Sequence, residues 1–316
     1  MQNKSSIDEK IYIVGHKSPD TDSVTSAIAY ASLKNAFGMK NVIPAVAGEI
    51  NDETAFLLNR FKIKAPMKLT DVAGKKIILV DHNELGQAVD NLDKAEIVEI
   101  IDHHKIGGLR TEKPIFFLNE PVGATGTIIA SLYEQNKVTI SKEIAGLMTG
   151  AILSDTVLFK SPTCTQKDKD AAMKLAKICG EDPMNFGMEL LKAKSDVKNK
   201  SAKDLLMNDF KKFDFNGIKA GVGQIEVMDL KDLEAKREGI LDEMKNLAAS
   251  EKLDMVVLML TDVMKEASDL LFVGSDKAKA GFEKAFGGKV TNNSIYREKV
   301  LSRKKQVVPP LEGAFK

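Results

Sequence analysis

The sequence has 316 residues, 43% hydrophobic and 29% charged, with 46 Lys and Arg against 45 Asp and Glu. This length makes two domains the default. The near-zero net charge, four Tyr and no Trp argue against a protein built to coat nucleic acid or to stack its bases. Two cysteines, Cys164 and Cys179, lack metal-ligand spacing and suit a reducing, cytoplasmic setting. The polar start MQNKSSIDEK and the lack of any run of ~20 apolar residues point away from a secreted or membrane-spanning chain.

Ile11, Ile13 and Val14 predict a short buried strand that runs directly into Gly15, His16, Pro19, Asp20 and Asp22. Ser23 reads as the cap of a helix over Val24–Phe37, closed by Gly38. Asn41–Val46 reads as a second strand and Asp52–Phe61 as a helix. Lys76–Asp81 contains the continuous apolar run Ile77, Ile78, Leu79, Val80, expected of a strand covered on both faces, and delivers Asp81, His82, Asn83 and Glu84. Ala95–Ile101 repeats that logic and ends in Asp102, His103 and His104. Gly123–Gln135 and Ser141–Leu153 read as helices, the second followed by Ser154, Asp155 and Thr156. Strands alternating with helices predict a parallel sheet, with polar residues delivered at its carboxyl edge.

From about Asn185 to Lys203 the chain turns polar and lysine-rich and reads as a linker, dividing the chain into 1–190, a linker 191–203, and 204–316. Beyond it, Ile218–Val227, Met255–Leu260 and Leu270–Val273 read as strands. Leu230–Ala249 reads as one long helix capped by Asp229. The expected class is therefore α/β: an N-terminal parallel-sheet domain and a smaller C-terminal α/β domain. Near the end stands the basic run Ser302, Arg303, Lys304, Lys305, Gln306, which alone would be a solvated surface.

All four histidines (His16, His82, His103, His104) lie in polar clusters that follow apolar strands, each with an Asp within four residues. A capped, solvated turn would explain the first cluster by itself, but four histidines gathered in three such clusters favour metal binding. Asp20 and Asp22, two apart on an extended loop, can aim both carboxylates at neighbouring points, as a pair of ions roughly 3.5–4 Å apart requires.

The segments GHKSPDTDS, VDHNE, DHH, SDT and SRKKQ, in this order and with twenty-one residues from Asp81 to Asp102, resemble the manganese-dependent family II inorganic pyrophosphatases of the Asp-His-His phosphoesterase superfamily. The DHH triplet specifies only the superfamily; its combination with SRKKQ is specific. The chain departs from the superfamily's phosphodiesterases, which carry a glycine-rich, histidine-containing motif near the carboxyl end, and resembles the short form without a regulatory insert. The resemblance implies hydrolysis of pyrophosphate to two phosphates by a metal-activated hydroxide in a cleft between the domains.

It also implies one ion on His16, Asp20, Asp81 and Asp155 and a second on Asp22, His103, Asp81 and Asp155, with Asp81 and Asp155 bridging. His104 would serve substrate or leaving group, and Asp102 would support it. Arg303, Lys304 and Lys211 would bind substrate, with the adjacent Lys212 an alternative to Lys211. Two divalent ions are implied, Mn2+ by the resemblance and Co2+ as the other metal that suits oxygen and imidazole ligands, with Mg2+ accompanying substrate. Four carboxylates would carry about four negative charges and match two such ions. A homodimer is implied, with neither nucleic acid nor membrane as partner. The competing readings are a nucleotide phosphodiesterase or exopolyphosphatase on the same core, and a non-catalytic metal or phosphate sensor.

Overall fold

The apolar run Ile77–Val80 is fully shielded from solvent, as a strand covered on both faces must be. It is an inner strand of one sheet in the computed structural model, which describes residues 9–194, 197 and 200–316. The chain divides into two units. One extends to Phe159 and includes Thr163–Leu190; the other comprises Lys160–Pro162 and Leu191–Lys316.

The first unit runs β1 (Ile11–Val14), α1 (Thr21–Ala36), β2 (Val42–Val46), α2 (Asp52–Arg60), β3 (Met67–Lys68), β4 (Lys76–Val80), β5 (Glu96–Asp102), β6 (Phe116–Asn119), α3 (Thr125–Gln135), α4 (Lys142–Asp155), α5 (Gln166–Cys179) and α6 (Pro183–Lys194), inside which the division falls. Its six strands are all parallel, in the order β3-β2-β1-β4-β5-β6. The order reverses between β1 and β4, so the connections leaving these two strands diverge to opposite sides and open a crevice at their carboxyl ends. The alternation of strands and helices had predicted this class of sheet, and the polar clusters after β1, β4 and β5 lie along that edge.

The start of α1 differs from expectation. Asp20, not Ser23, is the N-cap, its Oδ1 accepting the Ser23 N–H at 2.9 Å, so the helix begins at Thr21. The Ser23 hydroxyl instead accepts the His16 N–H at 3.1 Å. This close crossing of loop and helix requires glycine at position 15, where a Cβ would lie 1.8 Å from Ser23 Oγ.

The helices pack as tightly as the sheet. A Cβ on Gly146 of α4 would lie 2.1 to 2.4 Å from atoms of the buried Phe61 ring, at the end of α2. Gly146→Ala is therefore expected to destabilise the protein by about 1–3 kcal/mol, read as a lower unfolding midpoint in denaturant.

The second unit runs α7 (Ala202–Met207), β7 (Phe210–Phe215), β8 (Ile218–Val227), α8 (Lys231–Glu234), α9 (Arg237–Ser250), β9 (Met255–Asp262), β10 (Ala267–Gly274), α10 (Asp276–Phe286), β11 (Ser294–Glu298), a π-helical turn (Arg303–Val307) and α11 (Val308–Ala314). Its five strands are ordered β11-β10-β9-β8-β7, with only β8 and β9 parallel. One hydrophobic cluster gathers Val222, Val257 and Phe282, and another Leu206, Ile240 and Leu258.

The single helix expected over Leu230–Ala249 is broken at Ala235 and Lys236. Leu233 of α8 is buried, while Arg237, the first residue of α9, is tied to Asp269 and Ser294 at 2.6 and 2.9 Å. One straight axis does not serve both anchors. Of the segment 191–203 expected as a linker, Leu191–Lys194 ends α6 and Ala202 and Lys203 open α7, whereas Ser195, Asp196, Lys198 and Asn199 lie outside the described residues. Among the described residues, no helix is long and apolar enough to cross a membrane.

Candidate metal centre

Asp81 leaves β4 in the left-handed backbone region at φ +61°, which aspartate tolerates better than most residues and which turns its side chain out of the strand alternation. The carboxylate is fully buried. Its Oδ1 accepts a hydrogen bond from Thr125 Oγ1 at 3.2 Å and lies 3.3 Å from His103 Nε2; its Oδ2 lies 3.4 Å from His16 Nε2. His16 Nε2 is also 3.2 Å from Asp20 Oδ2, and His103 Nε2 is 3.5 Å from Asp155 Oδ2.

Donor atoms converge in two groups that share Asp81. His16, Asp20 and Asp81 form one, and Asp22, Asp81, His103 and Asp155 the other, with all donor atoms of a group within 4.8 Å of one another. Asp81 also groups with His103 and His104. Of the expected ligands, only Asp155 stands in one group where the resemblance placed it in two. His82 joins none of these groups: its Nδ1 faces the Val80 carbonyl oxygen at 2.9 Å, and burial, the largest influence, lowers its pKa to about 4.

The chain fixes His103 and Asp22 from behind. His103 Nδ1 is 2.9 Å from the Val122 carbonyl oxygen, which can only accept, so Nδ1 carries the proton and Nε2 is left facing the carboxylates. Asp22, in the first turn of α1, accepts the N–H groups of Thr125 and Gly126 at 2.6 and 2.9 Å and so sits on the positive end of α3. Burial first, and then repulsion from Asp81, Asp155 and Asp20, nevertheless push the Asp22 carboxyl well above the usual carboxylate range. Burial, the largest influence, works to raise Asp81 as well, but the surrounding His103, His16 and His104 imidazoles hold it well below.

These features fit divalent cations. Imidazole Nε2 atoms face carboxylate oxygens at 3.2 to 3.5 Å, and buried acids repel one another, so positive charge is needed where the donors meet. Asp81 Oδ2 is buried with no hydrogen-bond partner among the described residues. The donor set is oxygen and imidazole nitrogen without thiolate, which suits Mn2+ or Co2+.

Asp102 organises the neighbouring turn. Its Oδ1 accepts the His103 and His104 N–H groups at 2.7 and 3.1 Å and the His104 Nδ1–H at 2.8 Å, while Asn83 bonds Oδ2 and also holds Lys105 and Gly107. Burial raises the Asp102 pKa, but the hydrogen bond and charge of His104 outweigh it and bring it to about 2. Asp102 is thus a carboxylate that sets the His104 ring. Two further anchors escape a reading of the sequence: Glu53, whose Oε2 accepts from the Thr21 and Ser154 hydroxyls, and buried Asp168, which accepts from Gly123 N and Thr127 Oγ1 and steadies the loop carrying Val122.

In the second unit Arg303 is 6% exposed and donates from Nη2 to Asp209 Oδ1 and from Nη1 to the Asp209 carbonyl, both at 2.7 Å. Burial raises Asp209, but the charges of Arg303 and Lys211 bring it to about 2, so these two cations share one neighbourhood. Lys212 points the other way along β7 and pairs with Glu251 at 2.8 Å. Ser302 and Gln306 close the basic turn: Ser302 Oγ accepts the Lys305 N–H, and Gln306 Oε1 accepts the Leu301 and Ser302 N–H groups. Lys304 is exposed on this π-helical turn, a local geometry frequent at functional sites.

A family model for the DHH family, N-terminal domain, matches residues 10–152, and one for the DHHA2 domain matches 188–314. The chain is 75% identical over 308 residues to a manganese-dependent inorganic pyrophosphatase of Methanothrix thermoacetophila, covering 98% of this chain and 99% of that one. The chain belongs to the manganese-dependent, family II inorganic pyrophosphatases. A second member of this pyrophosphatase family, from Methanocaldococcus jannaschii, is 47% identical over 96% of this chain and 99% of its own. A crystal structure of a Methanococcus jannaschii protein described as belonging to family II superposes with a TM-score of 0.88 at 47% identity, covering 96% of this chain and 99% of that one.

Proposed function

We propose that the protein hydrolyses inorganic pyrophosphate to two phosphates at a dinuclear metal site. The observation that carries this reading is the sharing of buried Asp81 by two donor groups, in a chain nearly coextensive with its pyrophosphatase relatives. His16, Asp20 and Asp81 would hold one ion, and Asp22, Asp81, His103 and Asp155 the other, with Asp155 as a further contact to the first. Two bound divalent ions would supply an acidified water as nucleophile and offset charge on the phosphate oxygens.

The chain's own part is orientation and charge. Asp102 holds His104 through Nδ1, which leaves Nε2 for the substrate or the leaving phosphate. Arg303, Lys304 and Lys211 would bind the other phosphate, Arg303 through a planar fork preset by Asp209 and the lysines as point charges. The pairing of Lys212 with Glu251 favours Lys211 for this role. Mg2+ accompanying the substrate, cytoplasmic residence and the absence of a nucleic-acid partner belong to this proposal as well.

A homodimer also belongs to it. β6 is an edge strand whose Phe116 and Phe117 are 50% and 40% exposed, a surface suited to a second copy.

The test is phosphate release from pyrophosphate, tripolyphosphate and a dinucleotide, with Mn2+ or Mg2+ supplied separately. Pyrophosphate with Mn2+ should be fastest; cleavage of the dinucleotide with negligible action on pyrophosphate would overturn the reading. Arg303→Ala should raise KM for pyrophosphate roughly ten- to a hundredfold, the value of one or two charge-assisted hydrogen bonds, in steady-state kinetics.

A further inference from the structure

Glu53 lies in the first turn of α2, where an acidic residue ordinarily faces water, yet it is 2% exposed. Its Oε2 accepts two hydrogen bonds of 2.7 Å, one from Thr21 Oγ1 and one from Ser154 Oγ. Thr21 stands between Asp20 and Asp22 at the head of α1; Ser154 immediately precedes Asp155 at the end of α4. Thr54, next to Glu53, brings its own hydroxyl within 3.1 Å of Thr21 Oγ1. A single carboxylate oxygen therefore ties together two segments, far apart in sequence, that carry three of the proposed metal ligands.

We propose that Glu53 is a positioning residue, setting the spacing between the Asp20–Asp22 turn and Asp155 and thereby the affinity for the metal pair, without touching ion or substrate. The inference rests on the metal-centre reading given above. Apolar contact between α1 and α4 would hold the helices together but would not fix the direction in which either terminus presents its carboxylates. Two hydrogen bonds to a common oxygen do so, because a slide of α1 against α4 lengthens one of them. Groups that orient metal ligands in this way typically contribute 10- to 100-fold in metal affinity or activity, and sites of this kind tolerate only about 0.5 Å of misplacement.

The experiment measures Mn2+ dissociation constants by equilibrium dialysis on the metal-stripped full chain, for the wild type, Glu53→Gln and Ser154→Ala. The thermal midpoint of each stripped protein is recorded alongside. Glu53→Gln should bind Mn2+ about 10- to 100-fold more weakly and recover activity at raised Mn2+. Ser154→Ala, which removes one of the two bonds, should show a smaller loss. Unchanged affinity in both variants beside a wild type that binds two ions overturns the role of Glu53 and leaves the metal centre standing. A wild type that binds no Mn2+ overturns both. Should Glu53→Gln fail to fold, Ser154→Ala decides the matter on the same criterion.

Discussion

Asp81→Asn should bind at most one Mn2+ per chain and should lose pyrophosphate hydrolysis by about a thousandfold or more, equivalent to about 4 kcal/mol of transition-state stabilisation. The substitution is nearly isosteric, so the buried strand end keeps its shape. What changes is charge and donor character: an amide cannot offer two anionic oxygens, and whichever side carries the NH2 turns it on His16 or His103, whose Nε2 atoms now lie 3.4 and 3.3 Å away. No neighbouring acid can replace Asp81, because it alone is common to all the donor groups found among the described residues. Phosphate-release kinetics and metal stoichiometry check the expectation, with circular dichroism to show that the fold survives. A variant retaining more than about a tenth of the activity at two ions per chain would show that Asp81 does not join the groups.

Chelation should have an effect of comparable size on activity and a second, separate effect on stability. The centre crowds the buried Asp22 and Asp81 against Asp155 and the more exposed Asp20, and burial together with repulsion from these three holds the Asp22 carboxyl well above the usual range. Ions that bind the folded chain and not the unfolded one relieve that repulsion and stabilise by about 2.7 kcal/mol per site at a hundredfold excess over Kd. For a chain of this size that amounts to a rise of several degrees in Tm per site. Dialysis against a chelator should thus abolish hydrolysis and lower Tm, and added Mn2+ should restore both. Loss of activity without any change in Tm would place the ions outside the buried centre.

The candidate ligands were legible because each lies where an apolar run stops. His16, Asp81, His103 and Asp155 stand at or just beyond the ends of β1, β4, β5 and α4, and a parallel sheet brings such ends to one edge. The anchors behind them were not legible. Glu53 sits in an ordinary acidic first turn, Asp52–Glu53–Thr54, and only the packing of α1 and α4 over it makes it a buried hub. Asp168 reads as the third residue of a capping box with Thr165, and its bonds to Gly123 and Thr127 join residues more than forty positions apart. Asp209 and Arg303 are separated by 94 residues, a pairing set by β7 and β8 rather than by any local pattern. The two-residue β3 and the edge strand β6 are too short to announce themselves by periodicity. The break between α8 and α9 depends on where Arg237 finds Asp269.

The most direct measurement is anomalous diffraction at the manganese edge from crystals of the Mn2+-loaded protein. Two peaks are expected, one against His16, Asp20 and Asp81 and the other against Asp22, Asp81, His103 and Asp155, with Asp81 in contact with both. A single peak, or two ions with no ligand in common, would contradict the account.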